Sequence, residues 1–104
     1  MQVLGKSLME LLKRLRKEIR ASTGKGVELY LFGSYAKGDY TWSSDIDLLA
    51  LVPEDWTEKD SQLLYDILSE YNVRHRIFIN LIIRKPSQLS TLTQKVLREG
   101  LKVE

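Results

Sequence analysis

The 104-residue chain has no cysteine, a single histidine and only two prolines. Without cysteine there is no disulfide, no thiolate-held zinc and no thiol nucleophile. The one histidine, His75, stands between Arg74 and Arg76, and no other ligand type accompanies it. It fits a solvated strand start better than a metal ligand. Long apolar runs are also missing: none approaches the roughly 20 residues of a membrane-spanning helix. The opening residues mix Lys6, Glu10, Lys13 and Arg14 among leucines, unlike the unbroken apolar stretch of a secretory signal. A cytoplasmic protein with no membrane contact is the expectation. Nothing repeats, and no segment is of low complexity.

What is present is an ordinary globular balance, 43% hydrophobic and 29% charged. The length fits one compact domain, residues 1–104. Net charge is +2, too small to point to a partner class. Lys6, Lys13, Arg14, Arg16, Lys17, Arg20 and Lys25 nevertheless crowd the first quarter. Such a run can touch nucleic acid, but a solvated helix face is the preferred interpretation.

Leu8, Leu11, Leu12, Leu15 and Ile19 recur at three- and four-residue steps, which predicts an amphipathic helix over residues 7–22, closed by Gly24 and Gly26. An apolar, aromatic-rich strand is expected over 27–32. A polar stretch from Tyr35 to Ser44 follows as a short helical turn plus loop. A second strand spans 45–52 and stops at Pro53. Thr57 is a helix N-cap, with Asp60 in the first turn. Leu63, Leu64, Ile67, Leu68 and Tyr71 form that helix's buried stripe, and Asn72 is the expected terminator. Residues 76–84 form a third strand, apolar on both faces and so expected to be covered on both. Pro86 suits a helix first turn, and a last helical segment follows with Leu89, Leu92, Val96 and Leu97 at helical spacing, ended by Gly100. The fold class is α/β, with a three- to four-stranded mixed sheet flanked by helices.

Two features carry chemistry. Gly33-Ser34 ends the first strand and leads into Tyr35-Ala36-Lys37-Gly38. A glycine there lets a phosphate approach the backbone, the following N–H groups and the serine hydroxyl can donate to it, and Lys37 adds a positive charge. An ordinary turn has the same composition. Asp45-Ile46-Asp47 opens the second strand. Residues i and i+2 of a strand share a face, so the carboxylates project together while Ile46 points into the core. Paired carboxylates call for a cation, and magnesium takes carboxylates together with substrate phosphates. Acids opening an otherwise apolar strand mark its end, where α/β sheets carry their sites.

The ordered string from Phe32-Gly33-Ser34-Tyr35-Ala36-Lys37-Gly38 through Ser44-Asp45-Ile46-Asp47-Leu48-Leu49 resembles the signature of the polymerase-beta-like nucleotidyltransferase superfamily. Within it, the chain is most similar to the minimal nucleotidyltransferases, short prokaryotic proteins often encoded beside a HEPN-domain partner as an antitoxin. The resemblance extends over the order of elements and the Arg98-Glu99-Gly100 ending. It implies that Gly33 and Ser34 hold the terminal phosphates of a nucleoside triphosphate, with ATP expected. It implies that Asp45 and Asp47 bind one or two magnesium ions, which polarise the α-phosphate and neutralise the leaving pyrophosphate. A basic residue near Lys37 is common in the group. The implied activity is transfer of AMP to a hydroxyl of a protein partner, within a homo- or hetero-oligomer.

The family's third carboxylate, on the next strand, is replaced here by Asn80. An amide oxygen can ligate magnesium but brings no charge and cannot serve as a base. A lone polar residue in so apolar a strand is either satisfied by a hydrogen bond or turned toward a site; the resemblance favours the site. The alternative activity is therefore a catalytically weak or inactive nucleotide-binding antitoxin that acts by binding a HEPN-type partner. With a single minimal domain expected, either a partner chain supplies the surface that grips the base and acceptor, or specificity for the base is loose. Tyr35, Tyr40 and Trp42, between the motifs, could stack on a base, though loop anchoring is the commoner role. Trp56 is expected to cap the core near the helix start.

Overall fold

A computed structural model describes residues 2–38 and 45–104, with side chains described from Ser7 onward. The elements run α1 (Gln2–Thr23), β1 (Glu28–Phe32), α2 (Ser34–Lys37), β2 (Ile46–Leu51), α3 (Glu58–His75), β3 (Ile79–Arg84), a 3₁₀ turn (Pro86–Gln88), α4 (Thr91–Glu99) and β4 (Leu101–Lys102). The sheet order is β3-β2-β1-β4. β1 pairs antiparallel with β2 and β4, and β2 pairs parallel with β3. This is a four-stranded mixed α/β sheet.

Strand alternation divides the sheet into two faces. Leu29 and Leu31 of β1 and Ile46, Leu48 and Ala50 of β2 share one face and join the core under α1 and α3. Leu8, Leu11, Leu12, Leu15 and Ile19 supply the α1 stripe; Leu64, Leu68 and Tyr71 supply that of α3. Leu63 and Ile67 are only half-buried. Trp56 is buried, with its indole N–H donating to Ser61 Oγ at 2.8 Å. The other face carries Asp47, half-buried, and Asn80, exposed, at one end, while Leu49 on the same face is fully buried.

Four expectations need correction. The third strand starts at Ile79, not residue 76, and it is an edge strand covered incompletely: Phe78 and Asn80 are exposed and Ile82 is half-buried. Asn72 does not stop α3. Its carbonyl accepts from Ile77 N at 3.1 Å and its side chain accepts from Ile79 N at 3.3 Å, so it ties the helix end to β3. The helix runs on to His75 and ends at Arg76, which adopts the left-handed conformation at φ 53°. His75 is therefore a helix-end residue, stacked obliquely on Tyr71, rather than a strand start. In α4, Leu92 points outward and is 62% exposed, so it is not core.

The basic cluster near the N-terminus is partly structural. Arg16 donates to the carbonyl of Val103, and Arg20 donates to that of Val27 through Nε and Nη2 at 3.0 and 2.8 Å. Lys25 reaches Asp60 Oδ2 and the Asp55 carbonyl, both at 2.6 Å. Asp60 also accepts from Thr57 N at 2.9 Å, while Thr57 Oγ1 accepts from Asp60 N at 3.1 Å, a reciprocal capping box.

The Lys25 ammonium, first, and the Thr57 backbone hold the Asp60 carboxyl below its ordinary value. A carboxyl whose folded pKa lies below its unfolded value stabilises the fold above the unfolded pKa, and that contribution disappears as pH falls through the folded value. Asp60→Asn will therefore lower Tm at neutral pH, and the gap to wild type will close below about pH 4. Thermal melts across that range check this; a gap independent of pH would contradict it.

Candidate functional site

The site is assembled by register. Asp47 is paired with Phe32 on β1 and with Asn80 on β3, so it sits mid-sheet between two neighbours. Asp45 lies just before β2, where Ile46 N already donates to the Phe78 carbonyl at 2.9 Å. That bond fixes the strand end and with it the orientation of both acids. Asp45 and Asp47 face the same way, and Asn80 lies between them. Its Nδ2 donates to Asp45 Oδ2 at 3.2 Å and to Asp47 Oδ1 at 3.3 Å. The amide thus moderates the repulsion of two carboxylates that share a face. Among the described residues, no group of three or more His, Cys, Asp or Glu could hold a metal.

Gly33 explains why β1 ends where it does. Its backbone stands at φ 76°, ψ −152°, a region essentially reserved for glycine. A Cβ there would lie 2.3 Å from Asp47 Oδ2. The turn can therefore press against the Asp47 carboxylate only without a side chain. Ser34 opens α2, a single turn ending at Lys37 and closed by Gly38 in the left-handed conformation. Gly33, Ser34 and Lys37 are thus brought to the same end of the sheet as Asp45, Asp47 and Asn80. Gly33→Ala will cost about 1–3 kcal/mol in backbone strain alone, and it will push Asp47 out of place. A denaturation midpoint equal to wild type would refute the strain argument.

Tyr35 packs against the core, as a loop anchor does. Tyr40 and Trp42 lie outside the described residues. A groove of about 240 Å³ opens beside the turn, between α2 and α4. Leu92, Lys95 and Glu99 of α4 line it together with Phe32, Gly33 and Lys37. The sequence pattern placed Leu92 in the helix's apolar stripe and connected neither it nor Lys95 to the site. The one available signal was Leu92, an apolar residue flanked by Thr91 and Thr93.

The fold and this cluster define a nucleotidyltransferase. Residues 9–102 match the nucleotidyltransferase domain family, and the chain belongs to it. Among curated relatives, it is 35% identical over 97 residues to Putative protein adenylyltransferase MJ0141 of Methanocaldococcus jannaschii, covering 92% of this chain and 98% of that one. It is 29% identical over 100 residues to Putative protein adenylyltransferase MJ0604 of the same organism, covering 91% and 92%. Two of the solved structures that share the fold are informative. One, described as a putative nucleotidyltransferase from Sulfolobus solfataricus, superposes with a TM-score of 0.65 at 22% identity, over 94% of this chain and 80% of that one. The other is a mutant toxin–antitoxin complex, MntA–HpeT, with a TM-score of 0.61 at 18% identity, over 88% and 72%. No helix among the described residues is long and apolar enough to cross a membrane.

Proposed function

We propose that this chain transfers AMP from ATP to a hydroxyl of a protein partner, with magnesium, in an antitoxin-like role. The observation that carries this is the convergence of Asp45, Asp47 and Asn80 beside the Gly33 turn. Two carboxylates and an amide oxygen, facing open solvent, are a donor set that magnesium accepts when phosphate oxygens and waters complete it. Asp45 and Asp47 would hold the ion, and Asn80 would contribute its oxygen after its amide turns. Magnesium bound there would polarise the α-phosphate and offset charge on the departing pyrophosphate. Gly33 and Ser34 would receive the terminal phosphates through backbone N–H groups and the serine hydroxyl, with Lys37 balancing charge. Asn80 cannot take the acceptor's proton, so the proton passes to water or to a base of the partner.

The choice of a protein acceptor rests on the names of the Methanocaldococcus relatives. The antitoxin role, and a HEPN-type partner, rest on the family resemblance and on the toxin–antitoxin complex that shares the fold. The test is incubation of the protein with labelled ATP, magnesium and the product of the neighbouring gene. Label on that product, lost in Asp45→Ala, is the expected result. No label in any combination would sink the catalytic reading.

A second reading is favoured by Asn80 itself: a weak or inactive site on a subunit that neutralises its partner by association. It predicts neutralisation that survives Asp45→Ala with Asp47→Ala. Complex formation without neutralisation in that double variant would eliminate it.

A further inference from the structure

The two edges of the sheet are built differently. β4 ends it on one side with only Leu101 and Lys102, and Lys102 Nζ pairs with Glu28 Oε2 at 3.2 Å. A short strand bearing a lysine is a guarded edge. β3 ends it on the other side with six residues, and from Ile79 to Ile83 it carries no charge, no proline and no bulge. Two bonds fix its backbone phase: Ile46 N donates to the Phe78 carbonyl at 2.9 Å and Val52 N to that of Arg84 at 3.0 Å. In parallel register the even-numbered residues of β3 therefore turn their N–H and C=O toward β2, and Leu81 and Ile83 turn theirs outward. The outward Ile79 N–H is held by Asn72 Oδ1 and the Ile83 carbonyl by Arg84 Nη1. No hydrogen bond among the described residues takes up the Leu81 N–H and C=O or the Ile83 N–H.

A groove of about 640 Å³ runs along this edge. Leu81 to Lys85 line it from the strand, and Ser61 and Tyr65 from α3. Tyr65 is 47% exposed, and Phe78, just before β3, is 58% exposed. We propose that the free edge of β3 takes an extended segment of a partner protein as a fifth strand, apolar where it meets Tyr65 and acidic where it meets Arg84 and Lys85. Main-chain bonds to Leu81 and Ile83 would supply the pairing, and the groove would receive alternate side chains. The docked strand would lie one strand spacing, about 4.8 Å, beyond Asn80. The proposal does not depend on whether Asp45 and Asp47 support transfer.

Charge selects this occupant. Arg84 and Lys85 line the groove against a single acid among the described residues, Glu58. Exposed Arg74, His75 and Arg76 precede the strand. Antiparallel pairing with a second copy about Leu81 would set Lys85 opposite Ile77 and Pro86 opposite Arg76, so cations would meet cations at both ends. A segment ending in carboxylates avoids that repulsion.

The experiment titrates the full chain with a synthetic peptide of alternating threonine and valine bracketed by glutamates, and follows amide hydrogen exchange residue by residue. Saturable binding is expected, with exchange at Leu81 and Ile83 slowed at least tenfold. Asn80 and Ile82, whose amides already serve β2, should change little. N-methylation of the central peptide bonds keeps the charge and removes the pairing, and should weaken binding about tenfold. Replacing the glutamates by lysines should weaken it at least as much. Lys85→Glu should weaken binding of the acidic peptide about fivefold without disturbing the strand. No binding, or binding that leaves Leu81 and Ile83 exchanging as before, would overturn the proposal. Equal affinity for the lysine-bracketed peptide would overturn the acidic assignment. Self-association that alone protects both amides as protein concentration rises would make the occupant a second copy and overturn it equally.

Discussion

Asp47→Asn will reduce nucleotide transfer about a thousandfold and leave the fold intact. The substitution preserves shape, and the new Oδ1 can still accept from Asn80 Nδ2, as the carboxylate does now at 3.3 Å. What disappears is one of the two negative charges that Asp45 and Asp47 bring to the site. A metal at a phosphoryl site contributes several kcal/mol of charge stabilisation. At about 1.4 kcal/mol per decade, losing much of that amounts to about three orders of magnitude. Removing one of two neighbouring like charges also relieves repulsion in the metal-free protein. Tm without magnesium should thus be equal to wild type or higher, whereas magnesium should raise it less than in wild type. Initial rates at saturating ATP, with melts at zero and high magnesium, check both parts. A rate within about threefold of wild type would remove Asp47 from the machinery. A large fall in Tm would show instead that the carboxylate is structural.

That Asp45 and Asp47 share a face was legible in the sequence from period-two alternation. Asp45-Ile46-Asp47 opens an otherwise apolar strand, and only one geometry puts both acids on a face while Ile46 is buried. Gly33 was legible as a turn but not in its approach to Asp47. Its positive φ and its approach to Asp47 depend on how two strands lie side by side. Asn80 was placed by resemblance; the physical placement comes from parallel pairing of β2 with β3, a contact 33 residues apart along the chain. Local pattern says nothing about such register. β4 was missed because its two residues, Leu101 and Lys102, are exposed and carry no periodicity. It exists because β1 has a free edge and Gly100 turns the chain onto it. The overextended third strand failed for the opposite reason. Residues 76–78 have strand-like composition, but Asn72 uses its carbonyl and amide to hold the helix end and the strand start together. The α2–α4 groove is tertiary, and Leu92 is its one trace in the sequence.

Asn80→Asp should raise the rate of transfer, and its cost should appear as stability. The present amide donates to both acids at 3.2 and 3.3 Å and so stabilises the pair without metal. A carboxylate in its place donates nothing and adds a third negative charge to the same face. Without magnesium, Asn80→Asp will melt below wild type. With magnesium the order will narrow or reverse, because the added charge strengthens ion binding and ligand that binds only the folded state stabilises it. In the reaction the carboxylate can also accept the acceptor's proton, a contribution typically of about 10²–10⁴-fold. A gain of that size, together with magnesium-dependent recovery of Tm, identifies the natural site as one weakened by the loss of a single charge and base. Recovery of Tm without any gain in rate means that the proton already leaves through a base of the partner. Absence of both would show that residue 80 does not face a metal at all, and the arrangement of Asp45, Asp47 and Asn80 would then be a hydrogen-bonded strand end rather than a catalytic centre.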